Sequence, residues 1–221
     1  MEVVGLIPAR ARSKGIPRKN LALLAGKPLL QWTIEAAVGS EALTRVVVST
    51  DWAEAAILAR ALGAEVLGRP AELARDETPM LEIVRHALGE LGQCDVLVLL
   101  QPTSPLRRAV HVDGAVRLLL ETGADCVVSV VEVPHLFRPG SLMALEGNRL
   151  VPLASTRPAR RQEKPVVYAR NGPAVLALRA ERLGDDLYGG DCRPYVMELR
   201  DSIDVDAEFD LELAELLLSA P

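Results

Sequence analysis

The chain is poor in residues that cross-link. It has three cysteines in 221 residues, Cys94, Cys126 and Cys192. Their odd number, wide spacing and lack of any CxxC or His/Cys cluster exclude a disulfide framework and a zinc site, so each reads as a small buried hydrophobe. No apolar run approaches the ~18 residues of a membrane-spanning helix. The N-terminal MEVVGLIPAR puts its apolar stretch before its charge, the reverse of a signal peptide, so a cytoplasmic protein is expected, with no membrane partner. Basic residues do not prevail. Lys and Arg number 25 against 30 Asp and Glu, a net charge of −5, which argues against a nucleic-acid partner. Neither GxxxxGK[ST] nor GxGxxG occurs, which excludes a P-loop and a dinucleotide fingerprint. There is no GxSxG and no Ser/His/Asp pattern. Lysine is scarce: Lys14, Lys19, Lys27 and Lys164 are the only four.

What is present is ordinary globular composition, 49% hydrophobic and 25% charged, at a length that suits one domain over 1–221. Continuous Val- and Leu-rich runs at 3–7, 45–49, 96–100 and 126–131 read as strands buried on both faces of a sheet. Between them, residues 29–38, 53–62, 80–91 and 110–120 carry apolar positions at helical spacing, with Gly39, Gly63, Gly92 and Gly123 placed as C-caps. This alternation predicts an α/β fold: an open, mostly parallel twisted sheet with helices on both faces and right-handed crossovers. Ligands of such sheets bind at the carboxyl ends of the strands. The pattern breaks at 134–165, which holds Pro134, Pro139, Pro152, Pro158 and Pro165 and a basic run, Arg157-Pro-Ala-Arg-Arg. It reads as an excursion, a small lobe or dimer arm. Strand-like runs resume at 166–169 and 174–178, and a helix over 211–219 ends the pattern.

Directly after the first predicted strand comes Ile7-Pro-Ala-Arg-Ala-Arg-Ser-Lys-Gly-Ile-Pro-Arg-Lys-Asn. Between Arg10 and Lys19 it has five cations and no acid. Ala11, Ser13 and Gly15 let backbone N–H groups approach an anion, and the Arg and Lys side chains offer charge-assisted hydrogen bonds to phosphate oxygens. At the carboxyl edge of a sheet, a polyphosphate is the ligand that fits. Near the other end, Asp204 and Asp206 alternate with Ile203 and Val205, so on an extended chain both carboxylates face one side. Paired hard oxygens suit Mg²⁺; the other reading is an acidic helix N-terminus stabilised by the dipole. Asp210 fits an N-cap. Pro102 and Pro105 stiffen a turn in which Gln101 can present a donor and an acceptor, while Arg107 suits either a phosphate or plain surface. His86 and His111 sit in helical patterns and read as structural; His135 falls in the excursion.

The basic loop resembles the IPARxGSKGxPxKN signature of CMP-sialic acid synthetases (acylneuraminate cytidylyltransferases), departing from it at Arg12. Ser49-Thr50-Asp51, the stretch Arg69–Asp76 (RPxxLAxD), Gln101–Arg107 (QPTSPLR), Arg170-Asn171-Gly172 and Ser202–Asp210 (SIDIDTxxD) resemble further segments of the family. The resemblance implies a nucleotide-diphospho-sugar transferase-like, Rossmann-like fold. The implied reaction joins CTP to a sialic-acid-like nine-carbon sugar acid and releases pyrophosphate. It implies catalytic roles for Arg10, Lys14 and Lys19, and nucleotide contacts from these three with Ala9, Ser13, Gly15, Asn20, Arg69 and Gln101. Sugar contacts fall to Gln101, Arg138, Arg161, Gln162 and Asn171, and Mg²⁺ to Asp204 and Asp206. A homodimer is implied, with the excursion reaching toward the other subunit's site. Glu77-Thr-Pro-Met80 replaces the small residues usual near the base, which leaves GTP with legionaminic acid as an alternative. CTP with an octulosonic acid, or a non-catalytic nucleotide-sugar-binding relative, are the others.

Overall fold

The computed structural model describes residues 1–13, 15–153 and 165–219. β1 (Val3–Pro8) leads into a long loop carrying the two-residue strands β2 (Leu23–Leu24) and β3 (Lys27–Pro28). Then follow α1 (Leu29–Val38), β4 (Arg45–Thr50), α2 (Ala53–Ala61), β5 (Glu65–Gly68), α3 (Met80–Leu91), β6 (Val96–Leu99), α4 (Ala109–Thr122) and β7 (Cys126–Glu132). A hairpin, β8 (Met143–Glu146) and β9 (Arg149–Pro152), stands off the main sheet. β10 (Tyr168–Arg170), β11 (Leu176–Arg179), β12 (Cys192–Met197) and α5 (Glu208–Ser219) complete the described elements.

The main sheet has eight strands. β5, β4, β1 and β6 run parallel side by side, and β12 runs parallel to β7. β11 lies between β6 and β7 and is antiparallel to both. The sheet is therefore mixed, as it must be where a strand returns without a crossover helix. β10 continues the line of β11 along β7. Arg170 pairs with Val130 and Leu176 with Val128, so residues 171–175 bulge out opposite Ser129 alone. The bulge points a piece of backbone toward the carboxyl ends of β1 and β6, where a widened strand can re-aim side chains.

The strands read as unbroken apolar runs because both of their faces are covered. Val3, Ile7, Val96, Val98 and Ala177 pack against α1, α2 and α4, whose Ile34, Ala59 and Val116 share that core. The alternate residues Leu6, Leu97, Leu99, Leu176 and Leu178 meet α3 through Val84 and Ala87. Helices thus lie on both faces. Gly63, Gly92 and Gly123 take positive φ at helix ends; Gly39 does not (φ −78°), and its turn closes right-handed. The excursion begins with two short 3₁₀ turns, His135–Phe137 and Pro139–Ser141, before the hairpin.

Candidate active site

A third, smaller core assembles the site. Ile16 from the basic loop, Leu24, Leu29, Leu106, Val205 and Ala214 of α5 bury against one another. Val205 is fully buried. Fully burying a valine contributes about 1.5–3 kcal/mol, and a one-residue slip of this extended segment would put a carboxylate in its place. The alternation seen in the sequence is therefore held by packing: Ile203 and Val205 face this core, while Asp204 and Asp206 face a cleft of about 460 Å³. That is in the range of small-ligand pockets. The cleft opens at the carboxyl ends of β1 and β6.

The basic loop curls over one side. Lys19 N–H donates to Ser13 Oγ (3.1 Å), Asn20 Nδ2 to the Arg10 carbonyl (2.9 Å) and Ala11 N–H to Asp51 Oδ1 (3.0 Å). Arg18 holds a left-handed backbone conformation (φ 54°), lies over the Trp52 ring at 5.0 Å and pairs with Glu54, which ties the loop to α2. The loop's two best-placed cations already have partners. Arg10 pairs with Asp76 Oδ1 at 2.7 Å and donates to the Arg75 carbonyl at 3.1 Å. Lys19 Nζ sits between Asp206 Oδ1 (2.8 Å) and the Val205 carbonyl (2.9 Å). Its side chain is 13% exposed and that of Asp206 76%, so the lysine is the fixed member of the pair. Arg69 is buried and donates to Ser49 Oγ (3.2 Å) and the Ser49 carbonyl (2.7 Å). Burial lowers its pKa to about 10, against an opposing pull from Asp51.

The acidic side is built from three segments. Asp210 is the third residue of α5, not the residue before it. Its Oδ2 accepts from Asp206 N–H (3.0 Å) and Ala207 N–H (2.8 Å), so it secures the helix start by reaching back and at the same time fixes the Asp206 backbone. Asp204 lies deeper. Burial raises its pKa, with a hydrogen bond from Thr103 opposing, and its Oδ1 is buried with no partner among the described residues. The third segment is the turn after β6. There Gln101 Nε2 donates to the Gly172 carbonyl of the bulge (3.0 Å), and both residues line the cleft.

Gly15 is required by this closure. A Cβ on it would lie 2.3 Å from the Asp206 carbonyl oxygen, a backbone atom with little freedom to yield. Gly15→Ala is expected to cost about 1–3 kcal/mol of stability and to lower kcat/KM as the loop separates from the Asp204–Asp206 segment. Thermal unfolding and initial rates check this. Unchanged values of both would refute the close approach.

Of the residues proposed from the sequence, Arg10, Ser13, Gly15, Lys19, Asn20, Arg69, Gln101, Asp204 and Asp206 all line this cleft. Others are placed elsewhere. Ala9 is fully buried and its N–H donates to the Ser49 carbonyl (2.9 Å), extending the sheet. Asn171 is buried and engaged with Ser129, Ser202, Met197 and Ala174 N–H, so it shapes the bulge while its neighbour Gly172 reaches the cleft. Arg138 is held by Glu132 Oε1 (2.6 Å) and the Val133 carbonyl (3.2 Å), away from the cleft lining. Lys14, Arg161 and Gln162 lie outside the described residues. Arg107 is not at the surface; it is 2% exposed. His111 is structural: its Nδ1 accepts from Arg108 N–H, and burial lowers its pKa. Arg12, Asp76, Thr78, Met80 and Ile83 also line the cleft. The Arg69–Asp76 segment had marked Asp76, and Glu77-Thr-Pro-Met80 had marked Thr78 and Met80; Ile83 reads in the sequence only as an apolar position of a helix, and it lines the cleft from the first turn of α3.

No helix among the described residues is long and apolar enough to cross a membrane, and none of their His, Cys, Asp and Glu residues form a cluster of three or more suited to a metal. A family model described as cytidylyltransferase matches residues 4–210. An N-acylneuraminate cytidylyltransferase of Escherichia coli O18:K1:H7 is 34% identical over 96% of this chain and 51% of that protein. A CMP-N,N'-diacetyllegionaminic acid synthase of Legionella pneumophila is 35% identical over 99% of this chain and 97% of that protein. The chain thus spans about half the length of the first and nearly all of the second. In fold it is similar to a CMP:2-keto-3-deoxy-manno-octonic acid synthetase complexed with CTP, with a TM-score of 0.75 at 16% identity over 99% of both chains.

Proposed function

Since the chain belongs to the cytidylyltransferase family, we propose that it joins CTP to a sialic-acid-like nine-carbon sugar acid and releases pyrophosphate. The observation that carries this reading is the convergence in one cleft of the cations Arg10 and Lys19, the Asp204–Asp206 pair and the Gln101–Gly172 contact. In the proposed reaction the anomeric hydroxyl of the sugar attacks the α-phosphorus of CTP. An O–P bond forms, the bond to the β-phosphate oxygen breaks, and the hydroxyl proton passes to solvent. Negative charge grows on the phosphoryl oxygens and on the leaving pyrophosphate. Arg10 and Lys19, with Lys14 of the same loop, neutralise it, and the work is positioning and electrostatics. To do so Arg10 must exchange Asp76, and Lys19 must exchange Asp206, for phosphate oxygens.

Asp204 and Asp206 fit a divalent cation. Both face the cleft, and the buried Oδ1 of Asp204 is a hard donor with no partner among the described residues. Mg²⁺ is held by one or two carboxylates with phosphates and water. When bound, it clamps phosphate oxygens and lowers the pKa of the attacking hydroxyl. The enzyme is read as a cytoplasmic homodimer. The excursion supports the dimer, with Leu136, Phe137, Leu145, Leu150 and Leu153 each more than 60% exposed, an apolar surface of the kind that seeks a partner.

Arg161 is assigned the acceptor carboxylate, because its fork binds both oxygens of a carboxylate. Charge-assisted hydrogen bonds are worth about 1.5–3 kcal/mol, so Arg161→Lys is expected to raise the sugar KM about 10–100-fold while the CTP KM holds. An unchanged sugar KM would remove the assignment. The reaction itself is tested by following pyrophosphate from the protein with Mg²⁺, CTP or GTP, and N-acetylneuraminate, diacetyllegionaminate or an octulosonate. Release with CTP and a nine-carbon acid is expected. Release with GTP alone, with the octulosonate alone, or with none overturns the reading.

A further inference from the structure

Arg107 is the most fully buried cation among the described residues, 2% exposed, in the turn before α4. Among the described residues no carboxylate pairs with it, and burial alone lowers its pKa to about 9. Its Nη1 donates to two main-chain oxygens, those of Gln101 (3.0 Å) and Ala174 (2.8 Å). Its Nε and Nη2 have no partner among the described residues. Burying a cation without a counter-ion is unfavourable, and apolar residues of similar size usually serve stability better. A stabilising role therefore accounts poorly for Arg107. Its geometry offers another.

The two carbonyls belong to different segments. Gln101 opens the turn after β6, and Ala174 lies in the bulge between β10 and β11. The same two segments meet a second time through Gln101 Nε2 and the Gly172 carbonyl. Arg107, Gln101, Gly172 and Ala174 thus close a ring of hydrogen bonds whose open side, Gln101 and Gly172, lines the cleft. The bulge is also held by Ser129 Oγ–Asn171 Oδ1 (2.6 Å), by Asn171 Nδ2 to Ser202 Oγ (2.9 Å) and by the pairing of Leu176 with Leu99. What the ring adds is the pair of side-chain hydrogen bonds, from Gln101 and Arg107, that tie the bulge to the turn after β6.

We infer that Arg107 is a positioning residue: its guanidinium fixes the Gln101 turn and the Gly172 bulge as one unit, and that unit holds the hydroxyls of the acceptor sugar. The inference rests on the proposed reaction for the identity of the acceptor. The ring itself does not. Lysine keeps the charge, but its shorter side chain does not bring an ammonium to the place of Nη1, so it cannot hold both carbonyls in the same geometry. A displacement of about 1 Å in a positioned group costs up to about 100-fold.

The test is a double-mutant cycle of Arg107→Lys and Gln101→Ala, with sugar and CTP KM measured separately. Each single variant should raise the sugar KM about 10-fold or more, Arg107→Lys should leave the CTP KM within about 2-fold, and the double variant should be no worse than Gln101→Ala alone, because coupled residues are non-additive. Additive losses, or a loss confined to kcat that tracks the folded fraction, would show Arg107 to be merely structural. Hydrogen exchange without substrate gives an arm independent of the reaction. In Arg107→Lys, the amides of Gln101, Thr103, Ser104, Gly172, Ala174 and Val175 should exchange faster while those of α3 and β4 do not. Uniform acceleration, or none, overturns the ring. If the unaltered protein releases no pyrophosphate with any sugar, the proposed function fails, and the exchange result still decides the role of Arg107. Arg107→Met serves if the lysine variant does not fold, with the same expectations.

Discussion

Lys19→Ala is expected to lower kcat about 10²–10³-fold at saturating CTP while leaving the protein folded. The size follows from what the ammonium faces. A preorganised donor aimed at charge that develops in the transition state is worth about 2.7–4 kcal/mol. Lys19 is preorganised in the required sense. Its side chain is only 13% exposed, and its Nζ is fixed between the Val205 carbonyl and Asp206 at the mouth of the cleft. The competing role is structural, as a tether between the basic loop and the segment before α5. That role is small, because Asp206 is 76% exposed and pairs of this kind contribute about 0–1 kcal/mol. Such a loss moves Tm by no more than about 4 °C in a chain of this size. Kinetics and thermal unfolding therefore separate the two. A fall in Tm with near-normal turnover would leave Lys19 a tether. Lys19→Arg, which restores a cation, should recover part of the rate; if it recovers none while binding CTP normally, simple charge neutralisation is not the role.

The contrast between Lys19 and Arg107 shows which parts of this molecule a sequence discloses. The central strands were legible because burial on both faces leaves nothing but apolar residues, as in Val3–Pro8 and Val96–Leu99. The edge strands β5 and β12 were not. β12 reads Cys-Arg-Pro-Tyr-Val-Met, one side against β7 and the other largely in solvent, and a proline is tolerated there because no neighbour needs its N–H. β5, of four residues, is too short to show a period. The basic loop was legible as chemistry because like charges crowd together only where something opposite is to be bound. Its partners were not legible. That Arg10 meets Asp76 and Lys19 meets Asp206 depends on contacts 66 and 187 residues apart in the chain, and no local pattern encodes them. Arg107 ends the Gln101–Arg107 stretch, which marks the turn but not where this side chain goes. Beside Arg108 it looks like surface, and only the fold reveals that one of the two is buried on main-chain carbonyls while the other reaches Asp201. Asn171 is the opposite case: the Arg170-Asn171-Gly172 stretch points to the site, and the fold buries the Asn side chain on Ser129 and Ser202 while Gly172 lines the cleft.

Asp204→Asn is expected to abolish most activity, by about 100-fold or more if the carboxylate holds the divalent cation, and to raise Tm at neutral pH. The second half is the discriminating one. Burial lifts the Asp204 pKa above its unfolded value. A carboxyl shifted in that direction binds its proton more tightly folded than unfolded. Its effect on stability is absent below the unfolded pKa, and the folded state loses stability as pH rises from there through the folded pKa. Above the folded pKa the cost is fully present, because the buried Oδ1 has no partner among the described residues. Asparagine removes the charge at nearly constant shape, so the variant should melt higher than the parent at pH 7, and the gap should close as the pH falls toward 4. A ligand-holding role predicts a second effect that needs no turnover. Mg²⁺ with CTP should raise the Tm of the parent by supplying the missing counter-charge, and should do so much less for Asp204→Asn, since a ligand stabilises only the state that binds it. If the variant instead melts lower at every pH, Asp204 is a structural acceptor for Thr103. If Mg²⁺ shifts both proteins equally, the cation binds elsewhere. Either result would separate Asp204 from the phosphate chemistry that Lys19 serves across the same cleft.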